Sequence, residues 1–76
     1  MRELVEYLAK SLVDQPEAVE VSEVSGERSV VLEIKVAPDD MGKIIGKHGR
    51  IVKAIRTVAK AAATKEGKRV EVEIIE

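Results

Sequence analysis

A chain of 76 residues with 45% hydrophobic and 36% charged side chains has room for one domain, spanning 1–76, and is too apolar for intrinsic disorder. With no cysteine, a disulfide framework, a thiolate metal site and a cysteine nucleophile are excluded together, so the fold must stand on packing alone. The net charge of −1 hides an asymmetry: residues 1–40 carry four bases against ten acids, residues 41–76 carry nine against four, and Met41 to Lys65 holds seven bases and no acid.

Leu4, Val5, Leu8 and Leu12 recur at helical spacing and predict an amphipathic helix of about three turns, ended by Asp14-Gln15-Pro16. Val19 to Val24 alternates and then slips by one, which predicts a strand that bulges or bends near Ser22. After a turn at Ser25-Gly26-Glu27-Arg28, the clean alternation of Val30, Leu32, Ile34 and Val36 predicts a second strand paired with the first. Pro38-Asp39-Asp40 is a helix start, with carboxylates at the positive end of the dipole, and Gly46 stops that short helix. A long helix follows from Gly49 or Arg50 to about Lys65, its core stripe formed by Ile51, Ile55, Val58 and Ala62 and its end capped by Gly67. Val70, Val72 and Ile74 alternate as a last strand. The order α-β-β-α-α-β predicts a two-layer α+β domain, with all three helices stacked on the one apolar face of the sheet.

Chemistry concentrates in the turn Gly46-Lys47-His48-Gly49 between the second and third helices. Gly46 can leave its helix with positive φ, and Gly49 lets a backbone come close where the next helix begins. The unpaired N–H groups and positive dipole end of that helix favour a phosphate, and Lys47, His48 and Arg50 add positive or hydrogen-bonding groups there. Two glycines alone would read as a plain linker with a glycine C-cap; the residues around them add more. Ile45-Gly46-x-x-Gly49-x-x-Val52-x-x-Ile55 resembles the signature of KH domains, RNA- and single-stranded-DNA-binding modules with a GXXG loop. The element order resembles the type II version of that fold. The short form, with Ala37-Pro38-Asp39-Asp40-Met41-Gly42-Lys43 ahead of the loop, is similar to the bacterial KhpA family across the whole chain.

The resemblance implies a three-stranded mixed sheet, with the strands at Val30–Val36 and Val70–Ile74 parallel and the Val19 strand antiparallel on the other side of the former. It also implies a site for single-stranded RNA in which Gly46, Lys47, His48 and Gly49 clamp the backbone. Ile45 and Val52 would give an apolar floor for bases, and Lys43 and Arg50 would complete the set. Tyr7, far from the loop in sequence, is the sole aromatic residue, so no stacking platform is available and one copy should bind weakly with little sequence preference. The reading is of a non-catalytic RNA chaperone or post-transcriptional regulator. The alternative is a structural protein-interaction module with vestigial RNA binding, against which Lys47 and Arg50 speak. A DNA-reading helix-turn-helix is disfavoured because Ile51 and Val52 occupy the start of its would-be recognition helix.

Other readings are weaker. Lys53, Arg56 and Lys60 fall opposite the predicted stripe and read as a solvated face that steers RNA without touching it. His48 is the one histidine, so no metal site or histidine relay is expected. Asp39-Asp40 fits helix capping better than a magnesium pair, and Gly42 to His48 lacks the spacing and the hydroxyl of a Walker loop. No cofactor, catalysis or membrane span is expected. The acids near Met1 do not suit a signal peptide, so cytoplasm is the expected compartment. Val58, Ala59, Ala61, Ala62 and Ala63 spread over an arc of about 200° on the long helix, wider than a core needs. That arc, together with the resemblance, implies a homodimer or a heterodimer with the KH-containing protein KhpB.

Overall fold

The computed structural model describes residues 1–76, and its sheet is built around the strand whose alternation is cleanest. Strands β1 (Glu20–Ser25) and β2 (Ser29–Lys35) form an antiparallel hairpin, and β3 (Arg69–Ile75) adds parallel to β2, giving the order β1-β2-β3. Val30, Leu32 and Ile34 of β2 point to the helices and are buried, as the strict period of two requires. Parallel pairing runs from Ser29 opposite Arg69 to Lys35 opposite Ile75, with the helical crossover that a parallel connection needs supplied by residues between β2 and β3. The mixed sheet and its strand directions are those implied by the resemblance.

The expected bulge near Ser22 is absent. Pairing of β1 with β2 is continuous from Glu20 opposite Lys35 to Ser25 opposite Val30. Val19 and Val21 are buried, but Val24 lies on the outer face, 67% exposed and opposite Val31. The break in the apolar pattern is a change of face, and the cross-strand pair of β-branched side chains makes a bulge unnecessary.

Helices α1 (Arg2–Leu12), α2 (Met41–Ile45) and α3 (Arg50–Lys65) form the second layer. The core face of α3 is Val52, Ile55, Ala59 and Ala63, rotated by about 75° from the predicted stripe. Val58 of that stripe is 38% exposed, and Ile51 and Ala62 are half-buried. Small side chains won because Ala59 and Ala63, both fully buried, let the helix axis approach the sheet closely. On α1 the same thing happened: Val5 and Ala9 are buried, whereas Leu4 and Leu12 are left exposed. At its end α3 closes in a Schellman motif, Gly67 at φ +72 donating to the Thr64 carbonyl (3.0 Å) and Lys68 to that of Ala63 (2.9 Å).

Asp40 corrects the expected cap. It follows Pro38 in a single 3-10 turn, yet its side chain makes no capping bond to α2. The carboxylate is 1% exposed and accepts the backbone N–H groups of Asp14 (3.2 Å) and Gln15 (3.0 Å), which ties the turn after α1 to the start of α2. A buried carboxylate needs such donors.

Candidate nucleic-acid interface

The turn between α2 and α3 is a run of unusual backbone. Gly46 sits at φ 75, ψ 170, a region open in practice to glycine alone, and its N–H closes α2 on the Gly42 carbonyl (2.8 Å). Gly49 sits at φ 72, ψ 17, in the left-handed helical region, and donates to the Gly46 carbonyl (3.1 Å). Between them His48 is also left-handed at φ 57. Close approach occurs at Gly46 instead of Gly49, which corrects the expected division of labour. A Cβ on Gly46 would lie 2.5 Å from Ile51 Cγ1, 2.9 Å from its Cβ and 3.0 Å from its backbone N, whereas one on Gly49 would meet only Val52 Cγ1, at 3.9 Å.

This turn presents Lys47, His48 and Arg50 to solvent, and none of the three takes part in an ion pair or a side-chain hydrogen bond. Helix α3 begins without a side-chain cap and without an acid in its first turn. An anion arriving here meets the positive end of a 16-residue helix, two permanent cations and a histidine, and displaces no protein carboxylate in doing so. The arrangement suits phosphate.

Other members of the expected set are placed differently. Lys43 lies at the far side of α2, its Nζ 2.7 Å from Asp14 Oδ2 and 3.9 Å from Asp40 Oδ1. The hydrogen bond to Asp14, and then the Coulombic pull of the same carboxylate, raises the Lys43 pKa above its ordinary 10.5. The pair is exposed, so it engages the Lys43 ammonium within the chain only weakly. Ile45 beside the loop is 38% exposed and offers apolar surface, while Val52 is 7% exposed and supports the turn from below.

Arg56 is exposed, as the helical pattern predicts, but it also has a partner that the sequence did not reveal. Its guanidinium donates from Nε (3.4 Å) and Nη2 (3.1 Å) to the Val72 carbonyl, so it guards the free edge of β3 and is not merely solvated. Both α2 and α3 pack against β3, and the loop that joins them therefore stands on the β3 side of the molecule. Between α3 and the β3 edge runs an open cleft of about 430 Å3 bordered by Arg56, Lys60, Glu71 and Glu73. Only the true rotation of α3, which depends on the small core residues Ala59 and Ala63, would have signalled this from sequence. No group of His, Asp and Glu stands close enough to hold a metal ion, and no helix is long and apolar enough to cross a membrane.

Comparison with known proteins identifies the family. The family model described as KhpA/KhpB, KH domain, matches residues 2–74. The chain is 71% identical over 75 residues to the RNA-binding protein KhpA of Clostridium acetobutylicum, covering 99% of this chain and 100% of that protein. It is equally similar, at 71% over 75 residues and with the same coverage, to the RNA-binding protein KhpA of Clostridium perfringens. Among solved structures it is similar to Era in complex with MgGDPNP and a stretch of 16S ribosomal RNA, at TM-score 0.66 and 26% identity, covering 97% of this chain. It spans only 28% of that Era chain, so the likeness concerns one part of a larger protein.

Proposed function

The chain belongs to the KhpA/KhpB KH-domain family, whose members are non-catalytic modules, and from that premise we propose that it binds single-stranded RNA through the Gly46–Gly49 turn. Backbone phosphates lie against the start of α3, where glycine at both ends of the turn allows the sugar-phosphate chain to approach. Lys47 and Arg50 neutralise charge and His48 adds a donor. Ile45 provides aliphatic surface for a base, and the cleft along β3 with Arg56 at its edge receives the bases that follow. The observation that carries the reading is the set of three unpaired polar side chains on an uncapped, acid-free helix start. The names of the KhpA relatives and the RNA in the Era complex support it. Modest affinity without an aromatic platform suits an RNA chaperone or a post-transcriptional regulator in the cytoplasm. The test is to replace Lys47 and His48 together by Asp. Affinity for single-stranded RNA should fall at least tenfold while circular dichroism is unchanged; a folded double variant with unchanged affinity would contradict the proposal.

The working form in this reading is a dimer, with an interface away from the alanine-rich end of α3. Ala59 and Ala63 are used up in the core, so the alanine-rich end of α3 offers less than its sequence promised. Instead Leu4, Tyr7 and Leu12 of α1 and Val58 of α3 are exposed, four of the seven large apolar side chains that reach solvent. Between the two helices lies an apolar groove of about 320 Å3, floored by Leu8, Ile51, Ala54 and Val58 with Arg50 as its one charged border. We assign it to a second copy, since a two-fold contact would set the exposed Leu12 and Val58 of one chain against those of the other. Two linked loops on one RNA would bind more tightly than either alone. Val58→Lys should give a monomer by sedimentation with the fold intact. A wild type that is monomeric at high micromolar concentration would contradict the dimer, and capture of KhpB alone would assign the groove to the heterodimer.

A further inference from the structure

Strand β3 is an edge of the sheet, so the backbone groups of every second residue along it face away from β2. The Arg69 N–H donates to the Arg28 carbonyl (2.8 Å) and the Ile75 carbonyl accepts from Val36 (3.0 Å), which places the odd-numbered positions on the β2 side. The N–H and C=O groups of Val70, Val72 and Ile74 are therefore turned to the open edge, and Val70 and Val72 line the cleft beside α3. Arg56 takes one of these groups. Its Nε and Nη2 close as a fork on the Val72 carbonyl. That contact uses one side of the guanidinium and leaves the other, the parallel N–H groups of Nη1 and Nη2, without a partner in the chain. Around the Val72 carbonyl an acceptor has been replaced by donors.

We infer that Arg56 makes the cleft select guanine over adenine, its free fork donating to O6 and N7 of the base. This rests on the RNA reading above and adds a base preference to a turn that contacts the backbone alone. Guanine presents O6 and N7 as adjacent acceptors, which a guanidinium matches with two bonds, whereas adenine sets an amino donor in the place of O6. Pyrimidines have no N7. In single-stranded RNA that edge of the base is open to protein groups. Glu71 and Glu73 border the same cleft, so a phosphate is disfavoured there and an uncharged base is admitted. The bond to Val72 also holds the guanidinium before a base arrives, which lessens the side-chain ordering that binding requires.

The experiment is fluorescence anisotropy of the full chain with uridine octamers carrying one central guanosine, adenosine or 7-deazaguanosine. Wild type should bind the guanosine octamer roughly fivefold or more tightly than the adenosine octamer. The deaza base, which has C–H in place of N7, should lose most of that advantage, a comparison that needs no variant to fold. Arg56→Met removes the fork and frees the Val72 carbonyl, so the adenosine octamer should become at least as good a ligand as the guanosine one. Loss of positive charge by itself would weaken both octamers equally and leave their ratio unchanged. Equal wild-type affinity for guanosine and adenosine, a deaza octamer bound as tightly as the guanosine one, or a folded Arg56→Met variant that keeps the guanosine preference would overturn the inference while leaving RNA binding intact. A chain that binds none of the octamers would overturn it together with the reading on which it stands.

Discussion

The two ends of α2 are finished in opposite ways. At its start, Asp40 is buried, both of its oxygens accept backbone N–H groups, and Lys43 closes the arrangement by reaching Asp14. At its far end, one turn of helix away, Lys47, His48 and Arg50 stand in solvent with no partner, on a backbone bent through left-handed positions. The first end holds the chain together; the second leaves its hydrogen-bonding groups to solvent. The contrast teaches that a basic stretch must be sorted before it is read as a binding site. Of the seven bases from Met41 to Lys65, Lys43 pairs with carboxylates and Arg56 with a carbonyl of β3, whereas Lys47 and Arg50 have no partner within the chain.

Substitutions at the two ends should separate stability from RNA affinity. The largest effect is expected at Gly46→Ala, which combines a glycine-only backbone with a clash on Ile51. Strain of about 1–3 kcal/mol and forced repacking of similar size give a loss of roughly 2–6 kcal/mol, read by urea denaturation, with RNA binding lost as well. Asp40→Ala comes next, costing roughly 2–4 kcal/mol because two partly buried amides lose their acceptor. Unlike Gly46→Ala, whatever fraction stays folded should bind RNA normally. Gly49→Ala should cost only about 1–2 kcal/mol, since left-handed strain is its one penalty and the space around it is open. Smallest is an alkaline effect at Lys43. A lysine whose pKa is raised in the folded state contributes its stabilisation in full below the unfolded value and loses it as pH rises through the folded one. Wild type should therefore lose slightly more stability above about pH 10.5 than Lys43→Met does, in denaturation curves compared across that range. The lysine is exposed, so solvent screening keeps the difference small.

How far the molecule was legible in its sequence depended on whether a feature is local. The pleat of β2 is written directly in Val30, Leu32 and Ile34, and the Gly46–Gly49 spacing located the turn. The rotation of α3 was not legible, because ranking positions by side-chain size favours Ile51 and Val58, while the sheet selected Ala59 and Ala63 for close approach. Val24 suggested a bulge because alternation assumes one apolar face, and β1 spends that residue on a pair with Val31 across the open face. Asp40 looked like a local cap, since its partners lie 25 and 26 residues back along the chain. A separation of 29 residues likewise hid the pairing of Lys43 with Asp14. The division of work between the two glycines depended on where the Ile51 side chain points once α3 has docked, which no spacing rule contains.

The dependence of RNA affinity on salt tests the sorting of these cations most directly. Three or four phosphates neutralised at a single-stranded site give a log–log slope of roughly −2 to −3 for the wild type. Lys47→Ala should make that slope shallower by about 0.7, the share of one phosphate, and Lys43→Ala should leave it unchanged. A wild-type slope near zero, or a Lys43→Ala slope as shallow as that of Lys47→Ala, would contradict the account.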